Sequence, residues 1–422
     1  MNFKYVMMAC ALTLGFASCS NDDAVDNSGI IPNGEPTVAR IKLSQVAGPK
    51  TRGIEEAVDG EAIVKNATVF IFDAGAKLEA TVTLSNTEAS TGKVVEITTG
   101  SHYFYAAVNA IADVPTSFPV GTPLATVKQT VLGCATLGDL TKDDGFFMTN
   151  VSDALAKNIV ESDKPDGSDN PVEIKVGRAV AKVNVALTAD VKNGKEVAGG
   201  KFTNMSYKMG GNPNKMYLFP VYESGVFKTP FYSDIYAAAN YYGDAAYRAD
   251  GTPGYVIENA NAKVIKQGEA THALVKGTFT PDGKTEGVDF WRIYNASTKL
   301  WEDGIYYNIG DAKTAANYPT DQETMKIVEY AGGVCYYAFW VADKNAADLY
   351  AVSRNNYYDI KIETVSKIGT NQEDGDKDID NEYIEPSNPP VEPGDPIEEE
   401  KNTVKVSINV LDWTVVETGV GL

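Results

Sequence analysis

Short runs of alternating apolar and polar residues dominate the chain and predict an all-β protein. The runs are rich in β-branched and aromatic residues, and clusters of Gly, Asn, Asp and Pro separate them, as is typical of strands and turns. Helical periodicity is weak, with two short candidates at 123–132 and 233–242. We expect two β-sandwich-like (transthyretin-like) domains with long loops and few short helices. The clearest predicted strands are 68–72, 94–98, 102–108, 179–187, 272–280 and 357–362.

The strand around 178–187 marks the expected boundary between the two domains, because it follows the polar loop 162–171. Its apolar positions recur at every second residue, with Lys182 and Asn184 between them. That alternation predicts a strand with one buried and one solvated face. The apolar positions are Ala181, Val183 and Val185.

The longest alternating run, 404–416, ends the chain and follows an acidic, proline-rich segment at 373–403 that is expected to be an extended linker. Leu411 breaks the phase of the run, and a new run begins at Trp413. A long apolar strand on a linker needs a partner, and the pattern leaves two open: its own domain, or an open sheet edge on another chain. The expected inward residues are Val404, Val406, Ile408, Val410, Trp413 and Val415, and Lys405, Ser407 and Asn409 are expected to face outward.

A second strand that looks detachable lies near the other end, at 38–44. The basic, glycine-containing loop 48–53 follows it and suits cleavage by an arginine-specific protease between Arg52 and Gly53. Arg40 is a second candidate for cleavage, but it lies within the strand, so Arg52 is preferred. The inward positions of this removable strand are Ala39, Ile41 and Leu43.

The first residues predict export. A positive charge in 1–4, an apolar stretch at 5–16 and the small residues Ala17 and Ser18 form the pattern of a secretory signal peptide. The apolar stretch is shorter than the roughly 20 residues that span a bilayer. Cys19 lies where cleavage should fall, which favours a lipoprotein signal with Cys19 lipidated over an ordinary signal peptide with an incidental cysteine.

Charge and missing motifs exclude several classes of function. Lys and Arg number 37 against 57 Asp and Glu, so the net charge of −20 argues against nucleic acid as a partner and against binding to anionic lipid head groups. The sequence holds no GxSxG elbow, P-loop, HExxH or dinucleotide fingerprint. Its two histidines, His102 and His272, lie inside strand-like runs. We therefore predict no catalytic residue, no enzyme activity and no cofactor.

Candidate metal and ligand sites are weak. Cys134 and Cys335 remain in the exported chain, either paired or as buried free thiols, and no CxxC motif indicates zinc. The alternating acidic residues of 374–380 lack the central Gly and terminal Glu of a calcium loop, so we predict no metal. The aromatic-rich segment 231–247 is open to two interpretations, a sugar-binding platform or packing within the core.

A series of loose motifs runs through most of the chain in a fixed order. These are the lipobox at Cys19, the strand before Arg52, 67–72, 147–150, 178–183, 255–259 with 270–271, 336–337, 352–358 and 413–416. In that order they resemble the fimbrillins, the major shaft subunits of type V pili of the Bacteroidales, and most closely the minor-fimbrium branch.

The resemblance implies a route of assembly. A palmitate-bearing outer-membrane precursor would hold 38–44 in a groove of its first domain until an arginine-specific protease cuts after Arg52. The C-terminal strand of a neighbouring subunit would then fill the groove in donor-strand exchange. Mature subunits would form extracellular fimbriae on the cell surface that support adhesion, and the membrane would be contacted only through the precursor's lipid anchor.

The implied partners are other copies of the chain, accessory anchor and tip subunits, the protease, and host or bacterial surface receptors. A monomeric glycan-binding surface lipoprotein, or a fimbrial tip adhesin, is the alternative function. The expected organisation is a lipoprotein signal peptide at 1–18, a propeptide with tether and removable strand at 19–52, an N-terminal β domain at 53–177, a C-terminal β domain at 178–372, the linker at 373–403 and the C-terminal donor strand at 404–422.

Overall fold

The computed structural model describes residues 34–45, 59–134, 136–234, 236–261, 268–342, 350–373 and 404–412. Strands form most of the regular structure, so the all-β prediction is confirmed. Each of the six clearest predicted strands is present, with ends that differ by at most a few residues. Within these residues, no helix has both the length and the apolar character needed to cross a membrane.

The strands of the first half are β1 (Pro36–Gln45), β2 (Asn66–Phe72), β3 (Leu78–Ser85), β4 (Lys93–Thr98), β5 (Gly100–Val108), β6 (Val131–Gly133), β7 (Thr141–Lys142), β8 (Gly145–Phe146), β9 (Met148–Asn150), β10 (Leu155–Ile159) and β11 (Pro171–Arg178). Those of the second half are β12 (Val180–Leu187), β13 (Gly200–Gly210), β14 (Asn212–Pro213), β15 (Lys215–Tyr217), β16 (Val221–Glu223), β17 (Val226–Lys228), β18 (Tyr241–Tyr242), β19 (Arg248–Ala249), β20 (Gly254–Ile257), β21 (His272–Pro281), β22 (Phe290–Asn295), β23 (Leu300–Trp301), β24 (Met325–Tyr330), β25 (Val334–Trp340), β26 (Asn356–Val365) and β27 (Val404–Asp412).

The described helices are short: α1 (Asn86–Thr91), α2 (Leu124–Lys128), α3 (Ala189–Lys192) and α4 (Ile309–Ala315), with 3-10 turns at Asp59–Ala62, Leu137–Asp139, Ala238–Asn240 and Ala331–Gly333. The helix predicted at 123–132 is α2. The helix predicted at 233–242 is wrong, because β18 pairs with β14 and the Tyr236 and Phe231 rings pack on Tyr241, each with ring centroids 5.9 Å apart. Tertiary pairing there overrides a weak local preference.

The first sheet has eight strands in the order β3-β2-β5-β9-β11-β1-β4, and β10 also pairs with β5. The sheet curls until its end strands meet. The Lys93 ammonium on β4 donates to the Thr83 carbonyl on β3 (2.9 Å), and the Thr98 amide on β4 donates to the Glu79 carboxylate on β3 (3.2 Å). One hydrophobic cluster fills the inside, with contributions from β1, β2, β4, β5 and β11. The curl therefore closes a core around the inward side chains.

Two four-stranded sheets form a sandwich in the second half, as predicted. Their orders are β20-β12-β26-β27 and β19-β13-β21-β25, and a shared cluster packs between them. Smaller two- and three-stranded sheets decorate the loops. A third cluster joins the halves, because it contains Phe70 and Tyr105 from the first sheet and Ile257 and Tyr357 from the second.

The half-buried strand predicted at 179–187 is wrong in one respect: every residue of β12 is buried. Its alternating polar residues meet partners instead of water. The Lys182 ammonium lies 3.1 Å from the Glu61 carboxylate, and both side chains are only 1% exposed. Tyr255 donates to the same carboxylate (2.7 Å), and Arg178 donates to the Glu61 carbonyl (2.8 Å). Alternation revealed the strand but not this second buried face, since a paired charge can lie inside a protein.

Candidate functional site

The removable strand predicted at 38–44 is β1, and it lies inside the first sheet with a neighbour on each side. It runs parallel to β11, with Ile41 opposite Val172, and antiparallel to β4, with Ile41 opposite Lys93. Among the described strands, β4 pairs with β1 alone. Loss of β1 would therefore leave a groove between β4 and β11, with unpaired backbone on both walls.

The three predicted inward side chains of β1 are buried in the core of the first sheet. Ala39 and Ile41 are 0% exposed and Leu43 is 9% exposed. Fully burying an aliphatic side chain of the size of Ile or Leu stabilises a protein by about 1.5–3 kcal/mol. An empty groove would also lack the dispersion contacts of these side chains, so it favours a replacement of similar shape. The groove walls around them include Val95, Ile97, Val172 and Ile174.

Asn170 holds the start of β1 in place. Its side-chain amide donates to the Val38 carbonyl (3.0 Å), and its backbone carbonyl accepts from the Arg40 amide (3.0 Å). The same side chain bonds both backbone groups of Val160. Asn170 is 1% exposed. Its amide therefore links β1, inside the protein, to Val160, the residue that follows β10. The sequence pattern gave no signal for this residue, because an Asn in a polar loop usually indicates a turn.

Arg40 lies on the outer face of β1 in a notch made of three backbone carbonyls, which we call the carbonyl notch. Its Nε donates to the Asp166 carbonyl (3.0 Å), and its Nη1 donates to the carbonyls of Thr91 (3.3 Å) and Gly92 (3.4 Å). Thr91 and Gly92 end α1, where helical carbonyls lack amide partners and attract cations. The backbone on both sides of Arg40 is paired, so this alternative cleavage point lies within a docked strand.

Lys42 completes the outer face of β1. Its ammonium lies 2.7 Å from the Glu173 carboxylate, its register partner on β11. The hydrogen bond from Lys42 is the main cause of the lowered pKa of Glu173. Both side chains are more than 40% exposed, so the pair contributes little to stability. It is consistent with the register between β1 and β11.

One wall of the groove is held without help from β1. Glu79 on β3 accepts from the amide and hydroxyl of Thr98 and lies 2.7 Å from His102 Nε2. Burial opposes charge on this pair, but the hydrogen bond and the attraction between the partners raise the pKa of His102 and lower that of Glu79. The β4 wall is therefore tied to β3 and β5, as a preformed groove requires.

The predicted cleavage residues, Arg52 and Gly53, and the predicted lipidation residue, Cys19, lie outside the described residues. β1 ends at Gln45, and the next described residue is Asp59. The preferred cut, after Arg52, therefore falls in the connection that follows β1. Cleavage there stays a prediction.

The C-terminal strand, β27, lies on its own chain and pairs antiparallel with β26, which is one of the two partners that the sequence left open. It forms the edge of its sheet among the described strands. Val406 and Ile408 are partly buried against the sandwich core, whereas Asn409 is exposed. Leu411, where the alternation breaks, packs instead on the cluster that joins the halves. Trp413 and Val415 lie outside the described residues, and the side chains of Val404 and Val410 are not described.

The other residues considered for chemistry are packed. Cys134 and Cys335 are buried free thiols in different hydrophobic clusters. His272 is fully buried, and desolvation lowers its pKa to about 4, so it is neutral at pH 7. Within the described segments, no group of His, Cys, Asp and Glu is arranged to hold a metal ion. The 374–380 segment lies outside those residues.

Rings of the aromatic segment 231–247 pack on each other and against neighbouring side chains. Phe231 is 7% exposed against Tyr241, and the Lys228 ammonium covers the Tyr232 ring at 3.5 Å from its centroid. This arrangement favours packing over a sugar platform, because a sugar needs an open ring face.

Comparison with known proteins gives one family match. Residues 328–418 match the family described as "Major fimbrial subunit protein type IV, Fimbrillin, C-terminal". A sequence search of curated proteins gives no match. The matched region includes the end of β24 and all of β25 to β27, and therefore the C-terminal strand.

Solved structures resemble the chain over most of its length. A proposed cell adhesion protein from Parabacteroides distasonis is 15% identical, covers 90% of this chain and 99% of its own, and has a TM-score of 0.51. A fimbrilin from Porphyromonas gingivalis is 15% identical, covers 92% and 99%, and has a TM-score of 0.45. The tip fimbrial protein Mfa3 from Porphyromonas gingivalis is 15% identical, covers 90% and 100%, and has a TM-score of 0.36. At these identities the first likeness shows a shared fold, and the other two are too distant to add to it.

Proposed function

We propose that this chain is a fimbrillin and that it polymerises by donor-strand exchange. The match of residues 328–418 to the C-terminal fimbrillin family supports the first part of the proposal. The same match supports a role as a subunit of cell-surface fimbriae. In the proposed route, a lipid on Cys19 anchors the precursor, an arginine-specific protease cuts after Arg52, and β1 leaves with the anchor. The β27 strand of the next subunit then fills the groove between β4 and β11.

One observation carries the proposal: β1 is a central strand joined to the rest of the chain by a single connection that contains the candidate cut. Its backbone pairs on both sides and its inward residues complete the core. Removing it would expose two unpaired sheet edges and an apolar gap, which is costly in water. A strand from another subunit supplies both the backbone partners and the missing side chains.

The two places available to β27 differ in the number of strands that flank them. On its own chain it pairs only with β26, whereas the β1 position offers β4 and β11. β4 pairs with residues 36–41 and β11 with residues 40–45, so the two ladders together extend over the whole of β1. The segment 374–403 can span at most roughly 100 Å when fully extended, which allows β27 to reach another subunit. These differences favour transfer from the edge position to the central one.

Limited cleavage tests the proposal. Purified precursor should form SDS-resistant ladders after cleavage at Arg52 and none before, because only the cut chain can release β1. Deleting 404–422 should abolish the ladders while cleavage proceeds, and Arg52→Ala should abolish both. A cut chain that has lost residues 19–52 yet stays monomeric at high concentration would refute donor-strand exchange.

Ile408 and Asn409 offer a matched pair for the donor face. Ile408→Asp should reduce ladder formation at least tenfold, because a buried carboxylate without a partner is strongly unfavourable. Asn409→Asp should leave it unchanged, since Asn409 is exposed and faces outward. Thermal unfolding of the uncut variants separates this effect from damage to the packing of Ile408 on its own sandwich. Equal ladder yields from both variants would show that the assigned faces are wrong.

A further inference from the structure

The carbonyl notch selects a cation at one position of the strand that fills the groove. Three backbone oxygens, from Thr91, Gly92 and Asp166, converge on the Arg40 guanidinium. The Asp166 carboxylate is also near. Its hydrogen bonds to Ser168 are the main cause of its lowered pKa, and the charge of Arg40 lowers that pKa further. The notch is therefore electronegative through both its carbonyls and a nearby carboxylate.

Two glycines shape the notch around the Arg40 stem and backbone. A Cβ on Gly92 would lie 2.8 Å from Arg40 Cγ, and a Cβ on Gly167 would lie 2.7 Å from the Arg40 amide nitrogen. Both have positive φ, +91° and +66°, which glycine adopts at little cost. The two loops can approach the strand this closely only because both positions lack side chains.

The C-terminal strand has one residue suited to this notch. Residues on the outer face of a strand alternate, so 405, 407 and 409 are the candidates for the Arg40 position. They are Lys, Ser and Asn, and only the lysine ammonium carries a positive charge with three hydrogens to donate. On its own chain, Lys405 contacts Glu363 at 2.9 Å at the surface, an exposed pair that restrains it little.

Placing Lys405 at the Arg40 position brings apolar residues to the inward positions 39, 41 and 43, and brings Asn402 to the position of Thr37, which is polar and 2% exposed. Val404, Val406 and Ile408 then replace Ala39, Ile41 and Leu43 in that order. The two sets differ by one side-chain carbon in total, and cores tolerate swaps that conserve volume.

Two other placements that put a lysine in the notch bring a polar residue to a position that is apolar in β1. With Lys401 in the notch, Asn402 would occupy the buried Ile41 position. With the strand reversed about Lys405, Asn402 would occupy the Leu43 position. Burying an amide without a hydrogen-bond partner is unfavourable, so both placements are disfavoured.

We infer that the carbonyl notch of one subunit binds Lys405 of the next and thereby sets the register and direction of the incoming strand, parallel to β11 as β1 is. The inference rests on the proposed function, since it needs a second copy in the groove. It adds a residue that determines register: Lys405 leaves Glu363 and takes the three carbonyls that Arg40 held. Ser407 then lies opposite Glu173, where Lys42 lies in the uncut chain.

Disulfide formation between engineered cysteines tests which residue of the incoming strand lies opposite Glu173. Chains carrying Glu173→Cys with either Ser407→Cys or Asn409→Cys are cut at Arg52, assembled and oxidised, and boiled non-reducing gels show covalent joints. Ser407→Cys should link most joints and Asn409→Cys few, because a shift of two residues separates their positions from Glu173. Preferential linkage through Asn409→Cys would overturn the inference.

Charge variants test the notch itself. Lys405→Ala should slow ladder formation by about three- to tenfold and move linkage from Ser407→Cys toward Asn409→Cys, because exposed charge-assisted hydrogen bonds give modest but directional selection. Lys405→Arg should restore both, and Lys401→Ala, which loses the same charge nearby, should change neither. If the wild-type cut chain makes no ladder, the proposed function fails. If ladders form and Lys405→Ala behaves as Lys401→Ala does, the notch inference alone fails.

Discussion

A disulfide between Lys42→Cys and Glu173→Cys is expected to stop assembly of the cut chain completely, and a reducing agent is expected to restore it. These residues are register partners in the parallel pair of β1 and β11, and neighbouring strands lie about 4.8 Å apart, so the backbone spacing suits a disulfide. Cleavage at Arg52 would proceed, but β1 would stay covalently held in the groove. SDS-resistant ladders before and after reduction measure the effect.

The two single variants are the controls for this disulfide. Lys42→Cys alone and Glu173→Cys alone should assemble like the wild type with or without the reducing agent, because the exposed ion pair that they break contributes little. The native Cys134 and Cys335 are buried and should not interfere. If the oxidised double variant forms ladders at the wild-type rate with β1 still attached, the groove between β4 and β11 is not where the incoming strand binds.

Arg354→Met is expected to lower the free energy of unfolding by about 3–5 kcal/mol, the largest effect of any single substitution considered. Arg354 is 6% exposed and forms a two-pronged pair with the carboxylate of Glu258, which is 0% exposed. Its guanidinium also donates to the hydroxyl of Thr149 on β9 (2.9 Å) and to the carbonyl of Tyr217 on β15 (2.8 Å). The variant would leave a buried carboxylate without its cation and would cut a link between the two halves of the protein.

A second substitution separates the charge from the packing. Burial raises the pKa of Glu258 despite the nearby guanidinium, so the pair does not fully offset the desolvation of that carboxylate. Adding Glu258→Leu to Arg354→Met should therefore recover more than half of the lost stability. Lys164→Ala, which breaks an exposed pair with Asp169, should have no measurable effect in the same denaturant titration. An Arg354→Met variant as stable as Lys164→Ala would contradict this account.

The contact between the two halves of the protein matters for assembly, because the groove lies in one half and the donor strand in the other. β1 lies in the first sheet, and β27 lies at the edge of the second. Arg354 precedes β26, the strand that carries β27, and contacts Thr149 in the first sheet. We expect Arg354→Met to lower the yield of ladders only in proportion to the fraction of subunits that it unfolds. Arg354 would then support assembly by stabilising the subunit, without a direct part in strand exchange.

Local pattern was enough to identify the strands and the two ends of the chain. Alternation in 38–44 and 404–416 predicted β1 and most of β27, and the inward positions Ala39, Ile41 and Leu43 are buried. A period of two is a property of the extended backbone itself, so it can be read without knowledge of any neighbour. The same pattern failed at Lys182, because burial of a charge depends on Glu61, which lies far away in the chain.

The sequence by itself therefore determined the all-β class, the alternating faces of the terminal strands and, through its order of motifs, a resemblance to the fimbrillins. Only the tertiary structure decided which strands flank β1, that Asn170 and the carbonyl notch hold it, and that β27 rests on β26 of its own chain. The physical reason is that strand pairing and hydrogen bonds to loops join residues distant along the chain. Many pairings satisfy the same alternation, and the packing of the whole core selects among them.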